Sequence, residues 1–400
     1  MLAALSGIRI LDLSQFEAGP QCTQTLAWLG ADVIKVERPG TGEAARTSVG
    51  DPAGLESWSF LLLNSNKRSI TLDFKKPEGM ALLHRLIEEV DVFIENFAPG
   101  VIDRLGLSFE EVHAINPRVI YAQIKGFGEG SPWEDFPAFD PIGQAAGGSI
   151  SMTGAADGPP IRPGASLADS GAGLHCAIGI LAALHQRNAT GLGQKVSVSM
   201  QDAVMNFTRT AWQAYNRTGQ PADRAESDFR SAPKGIYPCK PYGPNDYVQI
   251  FTSRWGGRHW DLLLETIGRK DLIGDERYNS PEKRYERRDE VDSLVTSWTT
   301  TQTKIDAMEL LGRAGVPAAA IMDTLDLARD PYLREHEMVV ELEHPIRGSF
   351  LTPGTPIRLS DSYVPVEIAP ILGRDNDTIY EGLLRMSASE LDALKESGAI

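Results

Sequence analysis

The sequence predicts an α/β protein whose large domain is built on a doubly wound parallel sheet and is followed by a smaller α/β domain. Short β-branched runs alternate with helical patterns over the first 130 residues. A polar stretch between Thr218 and Lys234 is typical of an inter-domain linker. After it, strand and helix patterns alternate again over a shorter part of the chain. We expect a large domain over residues 1–218, a linker and small domain over 219–330, and a C-terminal segment, 331–400, that returns to the large domain.

The strands of the large domain are predicted from apolar runs bounded by turn residues. They are Gly7–Leu13, Asp32–Glu37, Ser69–Asp73, Asp91–Glu95, Val119–Lys125 and Val196–Ser199. Helical patterns occur at Pro20–Leu29, Pro77–Glu89, after Asp140, from Asp169 onward, and at Met200–Asn216. Strands joined through helices pair in parallel, which predicts a Rossmann-like sheet with its ligand at the carboxyl ends of the strands.

The long helix that Asp169 opens has an unusual composition. From Leu174 to Leu184 only His175 and Gly179 interrupt the apolar residues. A helix that is apolar nearly all round is typical of a central buried element. Because this stretch is well short of the ~20 residues that span a bilayer, we expect no membrane anchor.

The remaining predicted elements are shorter. The small domain should contain strands at Tyr247–Phe251 and Ala318–Met322 and helices from Trp260 and Thr303. The tail should contain strands near Val339 and Ile357 and a last helix from Asp377.

Charge and cysteine content exclude several classes of function. The net charge of −15 and the lack of a Lys or Arg run argue against nucleic acid as a partner. Three separated cysteines, Cys22, Cys176 and Cys239, form neither a disulfide framework nor a CxxC metal site. Since the N-terminus also lacks a signal-peptide pattern, we expect a metal-free protein of the reducing cytoplasm.

Two nucleotide-binding motifs are absent from the sequence. The first strand-to-helix turn reads DLSQFEAGPQ and lacks the GxGxxG pattern of dinucleotide-binding folds. Gly126, Gly128 and Gly130 follow a strand, but no Walker lysine and serine come after them. We therefore interpret these glycines as a flexible turn that could close over a ligand.

Asp169 is the candidate catalytic residue. An aspartate before a helix is an ordinary N-cap, yet Gly171 and Gly173 follow within one turn, and each glycine costs a helix roughly 1 kcal/mol relative to alanine. One interpretation is that the space admits a bulky acyl group. A carboxylate there can attack a thioester to form a mixed anhydride, which the expelled thiolate converts into an acyl thioester on the enzyme. The helix N-terminus would favour the ionised carboxylate, and nearby backbone N–H groups would stabilise the oxyanion.

Six segments of the chain carry a family pattern: LSGIRILDLSQFEAGP, LGADVIKVERPGTGE, LNSNKRSITLDFKKPEG, VFIENFAPGVIDRLGL, GASLADSGAGLHCAIGILAALHQR and TGLGQKVSVSMQDAV. From about Leu5 to the C-terminus the sequence resembles the family III CoA-transferases, the formyl-CoA transferase and CaiB/BaiF group, and most resembles its formyl-CoA:oxalate branch. The resemblance implies an acyl-carrying Asp169, an acyl-CoA and a small carboxylic acid as substrates, no permanently bound cofactor, and an interlocked homodimer.

The same resemblance implies a CoA site along the strand ends. By this resemblance Arg38 and Arg104 would face the phosphates or the adenine. The acidic background favours this role over that of solvated surface cations, since an acidic protein must concentrate its cations where a polyphosphate binds. Asn96 and Phe97 would line the pantetheine path. The full implied set is Phe16, Arg38, Leu72, Asn96, Phe97, Arg104 and Lys125.

Several positions depart from the formyl-CoA transferase pattern, and two of them are predicted to gate the substrate. Glu17 stands where a glutamine helps gate the oxalate site, and Phe139 stands where a tyrosine occurs. A carboxylate at residue 17 would repel a small dianion unless it is protonated or paired. The acid pair stays open: formyl-, acetyl- or succinyl-CoA as donor, and oxalate or another mono- or dicarboxylate as acceptor.

Two other functions fit the same fold. An α-methylacyl-CoA racemase abstracts an α-proton and needs an acid/base pair on opposite faces of the substrate. In racemases a histidine precedes the aspartate of the short helix, whereas Phe139 precedes Asp140 here, and His175 is interpreted as a core residue. The second alternative is a CoA-binding module without turnover, which the retained Asp169 disfavours.

Overall fold

The computed structural model describes residues 2–47, 51–52, 54–224, 231–252 and 258–400. The chain divides into two compact units, a larger one of residues 1–212 and 335–400 and a smaller one of residues 213–334. Within the predicted linker, residues 225–230 lie outside the described part of the chain.

A six-stranded sheet forms the centre of the larger unit. Its strands are β1 (Arg9–Asp12), β2 (Asp32–Glu37), β3 (Arg68–Thr71), β4 (Val92–Glu95), β5 (Ile120–Lys125) and β6 (Lys195–Ser199). They lie in the order β3-β2-β1-β4-β5-β6 and every pairing is parallel, which confirms the predicted sheet. The order reverses between β1 and β4, and doubly wound sheets bind their ligands at the carboxyl ends of the strands beside such a reversal.

Helices cover both faces of this sheet. They are α1 (Ala18–Ala27), α2 (Trp58–Leu63), α3 (Pro77–Glu88), α4 (Val101–Arg104), α5 (Phe109–Ile115), α6 (Asp140–Ala146), α7 (Leu167–Thr190) and α8 (Met200–Phe207). Because strand side chains alternate between faces, Ile10 packs into the core that holds α1 and α7, while Leu11 packs into the core that holds α3. The sheet is therefore buried on both sides.

The predicted continuous helix Met200–Asn216 is wrong. Helix α8 ends at Phe207, a 3₁₀ turn covers Arg209–Ala211, and α9 (Trp212–Thr218) follows. The hydroxyl of Thr208 donates to the Met205 carbonyl oxygen at 3.0 Å and lies 3.4 Å from that of Gly147. Such side-chain bonds compete with the helical pattern at this position.

Helix α7 is buried on one face only, so the prediction of an all-round buried element is wrong. Leu174 and Ile178 are 42% and 65% exposed, whereas Ala172, Cys176 and Ile180 are fully buried. By length and composition this 24-residue helix could cross a membrane, but half of its most apolar stretch is buried inside the larger unit. The core helix of a soluble protein passes the same test of length and composition.

The C-terminal segment pairs with the edge strand β3. The Ser69 and Thr71 N–H groups donate to the side chains of Asp375 and Asn376, at 2.9 and 2.8 Å. The Tyr380 hydroxyl donates to the Thr71 carbonyl oxygen at 2.7 Å. The open edge of β3 is thus covered by the same chain.

The tail differs in part from its prediction. A hairpin of β10 (Val339–His344) and β11 (Gly348–Pro353) confirms the strand near Val339. The strand predicted near Ile357 is wrong, because the second strand ends at Pro353 and Pro356 lacks the N–H that a ladder needs. Instead of one helix from Asp377, a π-helix (Thr378–Leu383) precedes α16 (Ala388–Ser397).

The smaller unit contains a three-stranded antiparallel sheet of β7 (Lys234–Pro238), β8 (Tyr247–Phe251) and β9 (Ala318–Ala320). Its helices are α10 (Arg258–Thr266), α11 (Pro281–Glu286), α12 (Arg288–Thr299), α13 (Lys304–Arg313) and α14 (Thr324–Arg329), with α15 (Pro331–Glu335) at its boundary. The predicted strands and the helix after Thr303 are confirmed. Thr303 caps α13 by accepting from the Asp306 N–H.

Helices α1 and α7 approach each other closely at Gly173. A Cβ built there would lie 2.6 Å from the Ala18 carbonyl oxygen. We expect Gly173→Ala to destabilise the larger unit by about 1–3 kcal/mol, because the rigid backbone oxygen must move. Thermal unfolding should show a lower midpoint. Gly382→Ala is the matched control, since its Cβ would meet no atom within 4 Å, and an equal loss in both variants would contradict this account.

Candidate functional site

The carboxyl ends of the parallel strands line two neighbouring cavities in the larger unit. A cleft of about 730 Å³ contains Arg38 and Leu72, which follow β2 and β3. A smaller cavity of about 190 Å³ contains Asp169. Phe97, which follows β4, lines both of them. A ligand in the cleft could therefore extend past Phe97 to Asp169.

Most of the predicted site residues lie in these two cavities. The Asp169 cavity is lined by Phe16, Glu17, Asn96, Phe97, Lys125, Phe139 and Asp169. Arg38 is exposed at the cleft. Arg104 lines neither cavity and is exposed at the end of α4, whose neighbours Val101 and Leu105 line the cleft. Lys75, which the sequence argument missed, also lines the cleft and adds an exposed cation there.

Asp169 is not the N-cap that its sequence context predicts. Helix α7 begins at Leu167 with Ser166 at the N-cap position, so Asp169 is the third helical residue. The cap comes from another helix: Asp140, at the start of α6, accepts from the Ala168 and Asp169 N–H groups at 2.9 and 3.3 Å. A carboxylate at a helix start satisfies the N–H groups there, but sequence spacing cannot reveal one that arrives from a distant segment.

The backbone N–H groups in the first turn of α7 are already engaged. The Ala168 and Asp169 groups donate to Asp140, and the Ser170 N–H donates to the Ser166 carbonyl oxygen at 3.0 Å. The Leu167 N–H donates to Ala165 at 2.9 Å. The first turn of α7 therefore offers no free donor, so backbone N–H groups that stabilise an oxyanion would have to come from elsewhere in the site.

The glycines after Asp169 serve helix packing. A Cβ on Gly171 would lie 2.5 Å from the Phe207 ring, and one on Gly173 would lie 2.6 Å from the Ala18 oxygen. Their Cα atoms thus face α8 and α1. The interpretation that these glycines make room for an acyl group is wrong.

Glu17 lies beside Asp169 because α1 starts where α7 starts. Its two carboxylate oxygens are 3.2 Å from the Ser166 hydroxyl and 3.5 Å from the Ser170 hydroxyl. Burial raises the pKa of Glu17, and the negative charge of Asp140 raises it further, while the Ser166 hydroxyl opposes the shift. The two serines flank Asp169 in sequence but were not recognised as Glu17 partners.

Asp169 has a strongly raised pKa. Burial is the largest cause, and the neighbouring charges of Glu17 and Asp140 add to it, raising the pKa of Asp169 to about 7. A carboxyl group with this pKa is partly protonated near neutral pH. Three carboxylates share this site, and protonation relieves their mutual repulsion.

The walls of the Asp169 cavity are mostly apolar and internally paired. The Phe16 and Phe139 rings meet edge to face with centroids 6.1 Å apart. Lys125 lies 2.9 Å from the buried Glu95 carboxylate and donates to the Phe97 carbonyl oxygen at 2.7 Å. The charge of Lys125 is thus compensated within the site.

Neither a metal cluster nor a cavity histidine occurs at this site in the described residues. No group of three His, Cys, Asp or Glu side chains is arranged to hold a metal ion there. Among the residues that the structure describes, no histidine lines either cavity. His175 is half-buried and its Nδ1 lies 2.7 Å from the Gly171 carbonyl oxygen, so that nitrogen is engaged within α7.

The fold and the site define the class of this protein: a doubly wound α/β protein with a carboxylate in a cavity at the ends of its strands. The model of CoA-transferase family III matches residues 5–376, and the chain belongs to this family. It is 43% identical to a formyl-CoA:oxalate CoA-transferase of Streptomyces avermitilis, over 100% of both chains. It is 41% identical to a formyl-CoA:oxalate CoA-transferase of Rhodopseudomonas palustris, over 100% of this chain and 98% of that one.

Solved structures agree with this assignment. A CaiB/BaiF family protein from Brucella suis superposes with a TM-score of 0.85 at 31% identity, over 96% of this chain and 100% of that chain. A hypothetical protein from Mycobacterium tuberculosis superposes with a TM-score of 0.78 at 28% identity, over 94% and 98%. The expected family membership and enzyme class are confirmed.

The raised pKa of Asp169 can be measured directly. Infrared difference spectra between the wild type and Asp169→Asn should show a protonated carboxyl band that disappears as the pH rises through about 7. Glu17→Gln removes a neighbouring negative charge, so the Asp169 band should disappear at a lower pH. Asp202 is the third residue of α8, as Asp169 is of α7, and Asp202→Asn should leave the band unchanged. An unshifted midpoint in Glu17→Gln would refute the coupling.

Proposed function

We propose that the protein transfers coenzyme A from a short acyl-CoA to a small carboxylic acid, with Asp169 as the nucleophile. The observation that carries the proposal is the position of Asp169 in a small cavity that shares Phe97 with a larger strand-end cleft. The cleft suits an extended ligand and the small cavity suits only a short acyl group. This division matches a thioester whose reacting carbonyl lies at one end of a long carrier.

In the proposed mechanism two covalent species form on one carboxylate. An oxygen of Asp169 attacks the thioester carbonyl, the C–S bond breaks, and an aspartyl anhydride and a CoA thiolate result. The thiolate attacks the aspartyl carbonyl of the anhydride and expels the first acid, which leaves an aspartyl-CoA thioester. The second acid attacks this thioester and repeats the two steps in reverse, so that CoA leaves on the new acid and Asp169 regains its carboxylate.

The proposed site for CoA is the cleft that adjoins the Asp169 cavity. Arg38 and Lys75 supply exposed positive charge at the cleft, where the phosphates would bind. Phe97 lines both cavities and would contact the ligand between the cleft and Asp169, Leu72 lines the cleft but is almost fully buried, and Arg104 would act from the neighbouring rim. Asn96 would serve mainly by holding the adjacent backbone, because its amide both donates to and accepts from Gln15. CoA thioesters enter as substrates, and the proposal requires no bound cofactor.

Transfer is favoured over racemisation by the lining of the cavity. Proton abstraction and return need two groups on opposite faces of the substrate. Phe139 occupies the position before Asp140, and the described lining of the Asp169 cavity contains no histidine. Its ionisable groups are Glu17, Asp169 and Lys125, the last of which is paired with Glu95.

Asp169→Ala should lower CoA transfer by at least about 10³-fold, because both covalent species form on this carboxylate. The assay detects new CoA thioesters chromatographically after incubation with formyl-, acetyl- or succinyl-CoA and a panel of short acids. Intact-protein mass spectrometry should show a CoA adduct in the wild type that the variant lacks.

Asp202→Ala controls for loss of a helix-start carboxylate, since Asp202 is also the third residue of its helix. It should retain transfer and a similar unfolding midpoint. Retained turnover in Asp169→Ala would refute the nucleophile assignment. Absence of transfer in the wild type, with α-deuterium exchange into a branched acyl-CoA, would favour the racemase.

Glu17 is proposed to screen acceptors by charge. We expect Glu17→Gln to raise kcat/KM for oxalate by about tenfold or more, since a like charge is removed from a partly buried site. The gain for acetate should be smaller because acetate has one charge. Steady-state transfer assays with both acceptors provide the measurement, and equal changes for the two acids would exclude charge screening.

The exposed apolar face on α6 to α8 supports the proposal of a homodimer. Large apolar side chains are exposed at Ile142, Leu174, Ile178, Met205 and Phe207. A patch of this kind on one unit is typical of a protein–protein interface.

The free, buried cysteines are compatible with the proposed cytoplasmic location.

Ile178→Glu should weaken the proposed dimer at least about tenfold, because a charge would be buried at the interface. Sedimentation analysis across a concentration series measures the dissociation. Leu325→Glu is the control, since Leu325 is a 54% exposed helical residue of the smaller unit. A wild type that stays monomeric, or equal weakening by both substitutions, would contradict this interface.

A further inference from the structure

The segment from Ser14 to Glu17 connects the two cavities of the larger unit. Gln15 lines the cleft, and Phe16 and Glu17 line the Asp169 cavity. A ligand that reaches from the cleft to Asp169 passes this segment. Its backbone conformation therefore determines the shape of the junction.

Phe16 has a backbone conformation that non-glycine residues rarely adopt. Its φ angle is +63°, in the left-handed region. A bulky residue stays in this region only where surrounding contacts hold it. The contacts that hold Phe16 are therefore informative about the site.

A buried ion pair supplies one of these contacts. The Phe16 N–H donates to Oε2 of Glu43 at 2.9 Å, and Oε1 of Glu43 lies 3.0 Å from the Lys35 ammonium. Both side chains are almost completely buried. Lys35 also donates to the Ser14 carbonyl oxygen at 2.8 Å. The pair thus holds the backbone on both sides of Gln15.

Asn96 fixes the residue between these two points. Its amide oxygen accepts from the Gln15 N–H at 2.7 Å, and its amide nitrogen donates to the Gln15 carbonyl oxygen at 2.8 Å. Three consecutive residues are therefore held by three different side chains. Glu43 is the only one of them that bonds to Phe16 itself among the described contacts.

Rotation of Phe16 to a negative φ would change the Asp169 cavity in two ways. The Phe16 ring would leave its edge-to-face contact with Phe139. Glu17, the next residue, would move relative to Ser166 and Ser170, which now accommodate its carboxylate. Both changes occur where the reacting carbonyl would lie.

We propose that Glu43 is a positioning residue whose carboxylate, held by Lys35, keeps the Phe16 backbone in the left-handed conformation and thereby sets the wall of the Asp169 cavity. The inference rests on the proposed function, because that wall matters for turnover only if Asp169 is the reacting group. Glu43 acts through the Phe16 backbone and needs no contact with the acyl group.

Two double variants test the role while keeping the buried charge balanced. Lys35→Met/Glu43→Gln retains an oxygen that can accept from the Phe16 N–H, and Lys35→Met/Glu43→Leu does not. Both lose the Lys35 charge and its bond to Ser14 equally. Asp12 stays paired in both, since Lys67 lies 3.1 Å from it. Replacing a buried ion pair by uncharged side chains of similar size is compatible with folding.

The Leu double variant should show a kcat at least about tenfold below that of the Gln double variant, because small displacements at a reacting centre have large effects on rate. KM for the acyl-CoA should differ by less than about threefold between them, because Glu43 lines the cleft but is almost completely buried, and both variants keep Arg38 and Lys75 there. Crystal structures should show a positive Phe16 φ in the Gln variant and a negative one in the Leu variant.

Equal kcat values in two variants that both fold would overturn the proposal, as would a positive Phe16 φ in both. A parallel loss of kcat, acyl-CoA binding and unfolding midpoint in the Leu variant would assign Glu43 a purely structural role and also overturn it. Absence of transfer in the wild type would instead refute the proposed function, and the two φ angles would still decide whether Glu43 holds Phe16.

Discussion

The close approach of α1 and α7 is the constraint on which the site depends. At Gly173 a single added carbon would meet the backbone of α1. Ala172 and Cys176 continue this packed face, and Cys22 meets it from α1. Because α1 follows β1 directly, this contact fixes the start of α7 against the carboxyl end of the central strand. The carboxylates of Glu17 and Asp169 are neighbours for this reason.

Asp12, Lys35 and Lys67 form a buried charge cluster that stabilises the strand ends. Burial alone would raise the pKa of Asp12, but Lys67 and Lys35 hold it well below its usual range. Removing one partner of such a buried pair typically costs about 3–5 kcal/mol, because a charge is left uncompensated. Rigid strand ends are a precondition for loops that hold ligands in fixed positions. The cluster therefore stabilises the same backbone that Glu43 contacts.

The sequence was sufficient for the sheet and for expecting Asp169 near the ends of its strands, and insufficient for what surrounds Asp169; the catalytic role of Asp169 stays a prediction. Strand periodicity is local, so β1 to β6 could be read from it within one or two residues. The Asp140 cap, the Glu17 neighbour and the packing role of Gly173 arise from segments that meet only in the folded chain. The exposed face of α7 was missed because composition cannot separate a buried helix from one that presents apolar residues to the surface.

In the proposed mechanism the crowding of three carboxylates has a chemical consequence. The burial and repulsion that raise the pKa of Asp169 penalise its charged form relative to any neutral form. A proton gives one neutral form, and the anhydride and the thioester are two others. The environment that disfavours the free carboxylate thus favours its acylation, provided that enough of it is ionised to attack. A pKa of about 7 meets both conditions near neutral pH, since a large fraction of Asp169 is ionised while the ionised form is still disfavoured relative to water.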